Sequence, residues 1–142
     1  MPSPIRIILV DDHDMIRDSL KILLDKDDRF EVVALCRNGL EAIKQSKDLN
    51  PDVILMDINM TPLNGFETTR TILDEQPAVR VIGLSVNNSP QYAAKMFETG
   101  GRGFVTKTSA FAELKTAILK VMEGERYVCA EILKKSQEKN AY

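Results

Sequence analysis

A chain of 142 residues, 44% of them hydrophobic and 28% charged, is typical of one globular domain with its own apolar core. The net charge of −2, without a block of like charge, argues against direct binding of this domain to nucleic acid or to a membrane. We expect neither a signal peptide nor a membrane-spanning segment, and we expect Cys36 and Cys129 to be reduced thiols in the cytosol.

Apolar segments alternate with amphipathic ones along the chain. In chain order, strands are predicted at 5–10, 30–36, 53–57, 79–85 and 103–106, and each is followed by a helix. The first helix is predicted from about 14 to 26 and the last from about 110 to 123. Asn38, Asn64 and Ser89 are the predicted N-caps of the three helices between them.

This alternation predicts the fold class. Near-continuous apolar strands joined by amphipathic helices are typical of a parallel sheet that is covered on both faces. Five units are too few for a closed eight-stranded barrel. We therefore predict an α/β, flavodoxin-like, doubly wound (βα)5 domain with strand order 2-1-3-4-5.

The domain is assigned to residues 4–123, and residues 124–142 are assigned to a linker or tail. Residues 125–129 resemble an extended connector, and 130–139 form a candidate short charged helix. We expect this tail to be mobile.

Three acidic residues stand at the ends of predicted strands. Asp11 and Asp12 follow the first strand, and Asp57 closes the third. In the predicted order these strands are neighbours, so the three carboxylates share the crevice beyond the carboxyl ends of the sheet. Carboxylates that meet in this way repel one another unless a divalent cation holds them, which predicts a Mg²⁺ site.

Two further polar residues end the neighbouring strands. Ser85 closes the fourth strand and Lys107 follows the fifth. Asp57 is the candidate nucleophile for phosphoryl transfer, because an ionised carboxylate needs no general base. Mg²⁺, the Lys107 ammonium and the Ser85 hydroxyl would offset the repulsion between the two anions. The backbone carbonyl of Asn59 is a further candidate metal ligand.

Each of these residues has an ordinary interpretation when it is taken alone. An isolated Asp11-Asp12 pair is more often a helix cap, and an isolated serine or lysine is most often a solvated surface residue. His13 is interpreted as a first-turn surface residue and not as a ligand. The coincidence of five polar residues at four strand ends favours a shared site.

These motifs resemble a known family. The segments 10–13 (VDDH), 57–60 (DINM), 84–85 (LS) and 104–107 (FVTK) are similar to those of receiver domains in bacterial two-component response regulators. The resemblance covers about residues 4–123. It implies that Asp57 accepts a phosphoryl group from a sensor histidine kinase with Mg²⁺, and that Ser85 and Lys107 contact that group.

The resemblance also implies a conformational switch. Ser85 would move toward the phosphoryl group, and an aromatic side chain, here Phe104, would move inward behind it. Phenylalanine lacks the hydroxyl of the more frequent tyrosine, so inward packing would depend on apolar burial alone. Thr61 and Thr108 stand where proline is common in the family. Asn59 and Asn87 are predicted to tune the lifetime of the phosphoryl group.

The tail is similar to the junction that joins receivers to a LuxR-type helix-turn-helix output domain. Such an output would make DNA a partner only through a domain that these residues do not contain. The alternative is a stand-alone receiver that acts through protein–protein interaction. A homodimer on phosphorylation and a cytoplasmic location are also expected.

Three rival functions deserve comparison. Residues 57–61 (DINMT) resemble the DxDxT motif of haloacid-dehalogenase-type phosphatases, but Asn59 replaces the acid that shuttles a proton there. A flavodoxin-like cofactor module is disfavoured, because the Asp11-Asp12 pair after the first strand would repel a phosphate. A degenerate receiver that only binds proteins is disfavoured, because all five polar residues are present.

Overall fold

The computed structural model describes residues 3–140, which form an open parallel sheet with helices on both faces. The sheet has the order β2-β1-β3-β4-β5-β6, and every pair of neighbouring strands is parallel. The strands are β1 (Ile5–Val10), β2 (Phe30–Cys36), β3 (Val53–Asp57), β4 (Arg80–Ser85), β5 (Gly103–Thr106) and β6 (Tyr127–Val128). The predicted fold class and strand order are confirmed.

The helices alternate with these strands. They are α1 (Asp14–Asp25), α2 (Gly39–Leu49), α3 (Gly65–Glu75), α4 (Pro90–Glu98), α5 (Phe111–Met122) and α6 (Ala130–Asn140). The three predicted caps are confirmed, since Asn38, Asn64 and Ser89 each accept a backbone N–H from the first turn. Asn64 also forms a complete capping box with Glu67.

The core lies on both faces of the sheet. All five residues of β3, the central strand between β1 and β4, are buried. On one face α2 packs on α3, and Phe66 of α3 meets Tyr92 of α4 edge to face with ring centroids 5.7 Å apart. On the other face, side chains of α1 and α5 line a common groove. This burial explains why the strands read as continuous apolar runs.

Both cysteines are buried free thiols, as predicted. Within residues 3–140, no helix is both long enough and apolar enough to cross a bilayer.

The tail contains the short charged helix that the sequence predicts, as α6, and its extended connector is a sixth strand of the sheet. β6 extends the sheet, with the N–H of Tyr127 donating to Arg102 O (3.0 Å) and the N–H of Cys129 donating to Phe104 O (3.1 Å). Cys129 and Ile132 are 0% and 2% exposed. A two-residue strand has no periodicity of its own, so only its tertiary partners define it.

Hydrogen bonds of Glu131 attach α6 to the loops that follow β4 and β5. Its carboxylate accepts from the side chains of Asn88 (2.9 Å), Thr106 (2.7 Å) and Thr108 (3.2 Å). Lys135 donates to the Asn88 side-chain oxygen at 2.7 Å. The tail helix is therefore tied to the same edge of the sheet that carries the polar strand ends.

Candidate functional site

The register of the sheet brings the predicted site residues to one edge. Val10 pairs with Met56, Asp57 with Leu84, and Ser85 with Thr106. Asp11, Asp57, Ser85 and Lys107 consequently stand at or just beyond the carboxyl ends of four adjacent strands. This is the crevice in which open parallel sheets bind ligands.

Three carboxylates and one imidazole converge there. Asp11, Asp12, His13 and Asp57 each place a potential ligand atom within 4.8 Å of those of the other three. Asp11 and Asp57 are 2% and 1% exposed, whereas the Asp12 side chain is 43% exposed. Two of the carboxylates thus lie in the low-dielectric interior, where a neighbouring charge has its largest effect.

Lys107 contacts one oxygen of each buried carboxylate. Its Nζ lies 2.9 Å from Asp11 Oδ2 and 3.3 Å from Asp57 Oδ1. The N–H of Asn59 also donates to Asp57 Oδ1, at 3.3 Å. Asp57 Oδ2 is buried and accepts no hydrogen bond from the described residues. One oxygen of Asp57 is therefore held, and the other is free for a cation or an electrophile.

The two buried carboxylates differ in electrostatics. Burial, the Asp11 charge and contact with Asp12 outweigh Lys107 and raise the pKa of Asp57 to about 7. Burial also opposes ionisation of Asp11, but hydrogen bonds from Lys107 and His13 hold its pKa below the usual value. Of these two buried carboxylates, Asp57 is therefore the one whose surroundings oppose ionisation on balance.

His13 lies closer to the carboxylates than its interpretation as a surface residue implies. Its Nδ1 is 2.9 Å from Asp11 Oδ1, 3.1 Å from Asp12 Oδ1 and 3.9 Å from Asp57 Oδ2. It is the N-cap residue of α1, but its side chain makes no capping bond, and its ring is 55% exposed. Sequence reasoning missed this placement, because position alone does not show which way the ring turns.

Arg17 is a second residue that the sequence did not single out. It is 7% exposed, and its Nη1 donates to the backbone carbonyl of Asp11 at 3.1 Å. Its Nη2 pairs with Asp14 at 2.8 Å across one turn of α1. In the sequence, this ion pair is indicated by the i, i+3 spacing of Asp14 and Arg17, which places both side chains on one face of a helix. Arg17 therefore anchors the backbone from which the Asp11 side chain projects.

Ser85 and Asn87 are connected to each other beside the acidic cluster. Ser85 is 0% exposed, and its Oγ accepts the N–H of Asn87 at 3.0 Å. The Asn87 side-chain oxygen accepts from the N–H of Ser89, at 2.8 Å, where α4 begins. The Ser85 hydroxyl is thus linked to the start of α4 by two hydrogen bonds, by way of Asn87.

Phe104 is completely buried in the apolar core, 0% exposed. It pairs with Gly83 across β4 and β5, and a Cβ built on Gly83 would lie 3.1 Å from its ring. The side chain that the family resemblance assigns to the switch therefore lies inside the protein, on the strand that leads to Lys107.

The cluster fits a hard divalent cation. Asp11 Oδ1, Asp12 Oδ1 and the unpartnered Asp57 Oδ2 are the oxygens that Lys107 does not contact, and carboxylate oxygen is the preferred ligand of Mg²⁺. The site could also hold a phosphoryl group against the Lys107 ammonium. Fold and site together define a flavodoxin-like α/β domain with an acidic pocket at its strand ends that is consistent with a metal site.

Comparison with known proteins gives the family. Residues 7–119 match the model of the response regulator receiver domain, and the chain belongs to this family, which is not an enzyme family. The chain is 34% identical over 128 residues to the response regulator GacA of Pseudomonas viridiflava, and 37% identical over 126 residues to the transcriptional regulatory protein DegU of Brevibacillus brevis. These alignments cover 90% and 89% of the chain but 60% and 53% of the relatives.

Similarity to solved structures supports the same family. The crystal structure of a LuxR-family two-component response regulator from Aurantimonas sp. SI85-9A1 has a TM-score of 0.93 and 32% identity, covering 99% of this chain and 100% of that one. That of a LuxR-family DNA-binding response regulator from Staphylococcus aureus has a TM-score of 0.77 and 29% identity, covering 82% and 98%. The relatives of this receiver are thus two-component transcriptional regulators.

Proposed function

We propose that this receiver is a phosphorylation-dependent switch in which Asp57 accepts a phosphoryl group from a phosphohistidine of a sensor histidine kinase. The arrangement of Asp57 supports the proposal most directly. One of its oxygens is fixed by Lys107 and by the Asn59 N–H, and the other has no hydrogen-bond partner among residues 3–140. A nucleophile needs this combination of a fixed orientation and a free lone pair.

The free oxygen of Asp57 would bond to phosphorus as the phosphorus–nitrogen bond of the donor breaks. Lys107 already lies within 3.3 Å of Asp57, so its ammonium is placed to neutralise charge on a phosphoryl oxygen without a large movement. Mg²⁺, held by Asp11, Asp12, Asp57 and the Asn59 backbone carbonyl, would supply further charge neutralisation when bound. The chain would in this way assist its own phosphorylation and its own slow dephosphorylation.

The phosphoryl group would then compete for Ser85. Its hydroxyl now accepts the Asn87 N–H, and a phosphoryl oxygen is a strong acceptor toward which that hydroxyl can turn and donate. Movement of Ser85 would pull on the loop before α4, and Phe104 would respond from the core beside it. We expect the population to shift at the face formed by α4, β5 and α5. Asn59 and Asn87 flank the reacting group and would tune its lifetime.

The output is proposed to be transcriptional. The chain spans little more than half of the regulators GacA and DegU, so DNA would be contacted by a domain outside residues 1–142. We retain 4–123 as the receiver and 124–142 as the segment that leads toward that output. We also propose that the receiver forms a homodimer on phosphorylation and that it is located in the cytoplasm. The alternative to a transcriptional output is a stand-alone receiver that acts through protein–protein interaction.

Phosphorylation can be tested without the kinase. The purified chain is incubated with acetyl phosphate and Mg²⁺, and its intact mass is measured. The expected result is a gain of about 80 Da, one phosphoryl group, in the wild-type protein. Asp57→Asn should show no gain. Absence of the gain in wild type, or an equal gain in Asp57→Asn, would overturn the assignment.

A further inference from the structure

The backbone around Lys107 is held from the tail of the chain. Its neighbours Thr106 and Thr108 both donate their hydroxyls to Oε2 of Glu131 in α6, at 2.7 and 3.2 Å. The N–H of Lys107 itself donates to Ser85 O at 2.8 Å. One carboxylate from the tail therefore joins the two residues that flank the ammonium of the site.

The direction of these hydrogen bonds follows from the chemistry of the groups. Hydrogen bonds from Asn88 and Thr106 lower the pKa of Glu131, so its side chain is a carboxylate at neutral pH. A carboxylate only accepts, so the single hydroxyl proton of Thr106 is donated to Glu131. The hydroxyl of Ser109, 2.8 Å from Thr106 Oγ1, is then the donor to Thr106. All three hydroxyls in the turn 106–109 are thus oriented, directly or through Thr106, by the same carboxylate.

Glu131 can hold this turn because its own helix is fixed. The N–H of Ala130, in the first turn of α6, donates to Oε2 of Glu113 in α5 at 2.8 Å. The same oxygen accepts the Tyr127 hydroxyl at 2.8 Å. Ile132, the next residue, is 2% exposed. The backbone on both sides of Glu131 is therefore anchored to the domain.

We infer that Glu131 is a positioning residue for phosphoryl transfer, which acts from the tail by fixing the turn from which Lys107 reaches Asp57. The inference rests on the proposed function and adds to it a residue outside 4–123. Lys107 Nζ is 3.3 Å from Asp57 Oδ1, and a lysine side chain is flexible, so its placement depends on the backbone that carries it. Thr108, which stands where proline is common in the family, supplies a donor that proline lacks.

The test is a double-mutant cycle in the full chain, with phosphorylation by acetyl phosphate and Mg²⁺ followed as intact mass over time. Glu131→Gln keeps the size of the side chain but leaves one accepting oxygen for three donors. It should slow phosphorylation about 5- to 10-fold when Lys107 is present. In the Lys107→Ala background it should slow the reaction by less than about 2-fold, because the group that it positions is gone.

The cycle separates positioning from a general loss of structure. Partial unfolding would slow phosphorylation by the same factor in both backgrounds. Glu125→Gln is the matched control, because it removes the same charge from the tail at a carboxylate that pairs with Lys120 of α5 at 3.4 Å. It should leave the rate unchanged. Equal slowing by Glu131→Gln in the two backgrounds, or no slowing in either, would overturn the inference.

A second variant tests the hydrogen bond itself. Thr108→Val removes one of the two donors beside Lys107 with little change in side-chain shape. Alone it should slow phosphorylation about 2- to 3-fold, and in Glu131→Gln it should add little, because the two changes break the same bond. A full additional effect of Thr108→Val in Glu131→Gln would contradict the inference.

The outcome is separable from the proposed function. If wild type gains a phosphoryl group at a rate that does not depend on Glu131, the positioning role is refuted and the phosphoryl switch stands. If wild type gains none, or Asp57→Asn gains as much, the proposed function and the inference fail together.

Discussion

Replacing Asp57 by asparagine should stabilise the metal-free protein. The side chain is 1% exposed, and burial together with Asp11 raises its pKa from 3.8 to about 7. Because the folded-state pKa lies above that of the unfolded chain, the folded protein loses stability as the pH rises through this interval. The loss is complete above the folded-state pKa.

The size of this loss of stability follows from the rise in the pKa of Asp57. A rise in pKa from 3.8 to about 7 corresponds to a penalty of about 4 kcal/mol above neutral pH. Asparagine recovers only part of it, because its amide is also buried and needs hydrogen-bond partners at this 1% exposed position. We expect a net gain near half of that value, about 2 kcal/mol, or a midpoint about 7 °C higher for a domain of this size.

Thermal and urea unfolding in EDTA would measure this gain, with Asp74→Asn, an exposed carboxylate on α3, as the control that should change little. The gain should be largest near about pH 8 and should disappear near about pH 5, because the penalty is smaller there by about 2–3 kcal/mol now that folded Asp57 is protonated. Saturating Mg²⁺ should reverse the order, since it binds the folded wild type more tightly. Equal stability of wild type and Asp57→Asn at the higher pH, or a gain independent of pH, would refute this reasoning.

Four further predictions concern Lys107 and Gly65 beside Asp57, and Glu131 of the tail helix. Lys107→Ala should slow phosphorylation by acetyl phosphate about 100-fold in a time course of intact mass, because the ammonium no longer offsets charge on the phosphoryl group, and an unchanged rate would contradict this. Gly65→Ala should lower the free energy of unfolding in urea by about 1–3 kcal/mol, since the new Cβ would lie 2.4 Å from the Asp57 carbonyl oxygen. Glu131→Gln should speed amide exchange in residues 130–137 by about 10-fold, because three donors share that carboxylate. Hydrogen bonds from Asn88 and Thr106 lower the pKa of Glu131, so in wild type the protection factors of the same amides, which are corrected for intrinsic exchange, should hold above its ordinary value of 4.5 and fall as the pH drops below it.

The fold was predictable because its determinants are local or periodic. Each core strand is a largely apolar run that ends in a polar residue or is followed directly by one, and burial of all five residues of β3 is the reason that its sequence shows no alternation. Helix starts at Asn38, Asn64 and Ser89 followed from side chains that bond to the first turn. β6 was missed because its two residues are ordered by backbone partners far away in sequence.

The site was predictable to the level of strand ends and no further. Topology places Asp11, Asp57 and Lys107 at one edge, and the side-chain distances agree with that expectation. The ring of His13 turns into the cluster, with Nδ1 2.9 Å from Asp11 Oδ1, and no pattern in the sequence encodes this orientation. The same limit applies to Glu131, whose three donors come from the end of β5 and from two loops distant in the chain.

Chemical trapping of the phosphorylated residue tests the central claim most directly. After incubation with acetyl phosphate and Mg²⁺, borohydride reduces an aspartyl phosphate to homoserine, and peptide sequencing by mass spectrometry locates the change. The account predicts homoserine at position 57, with Asp11 and Asp12 unmodified. Homoserine at another aspartate, or none in a protein that has gained a phosphoryl group, would contradict it.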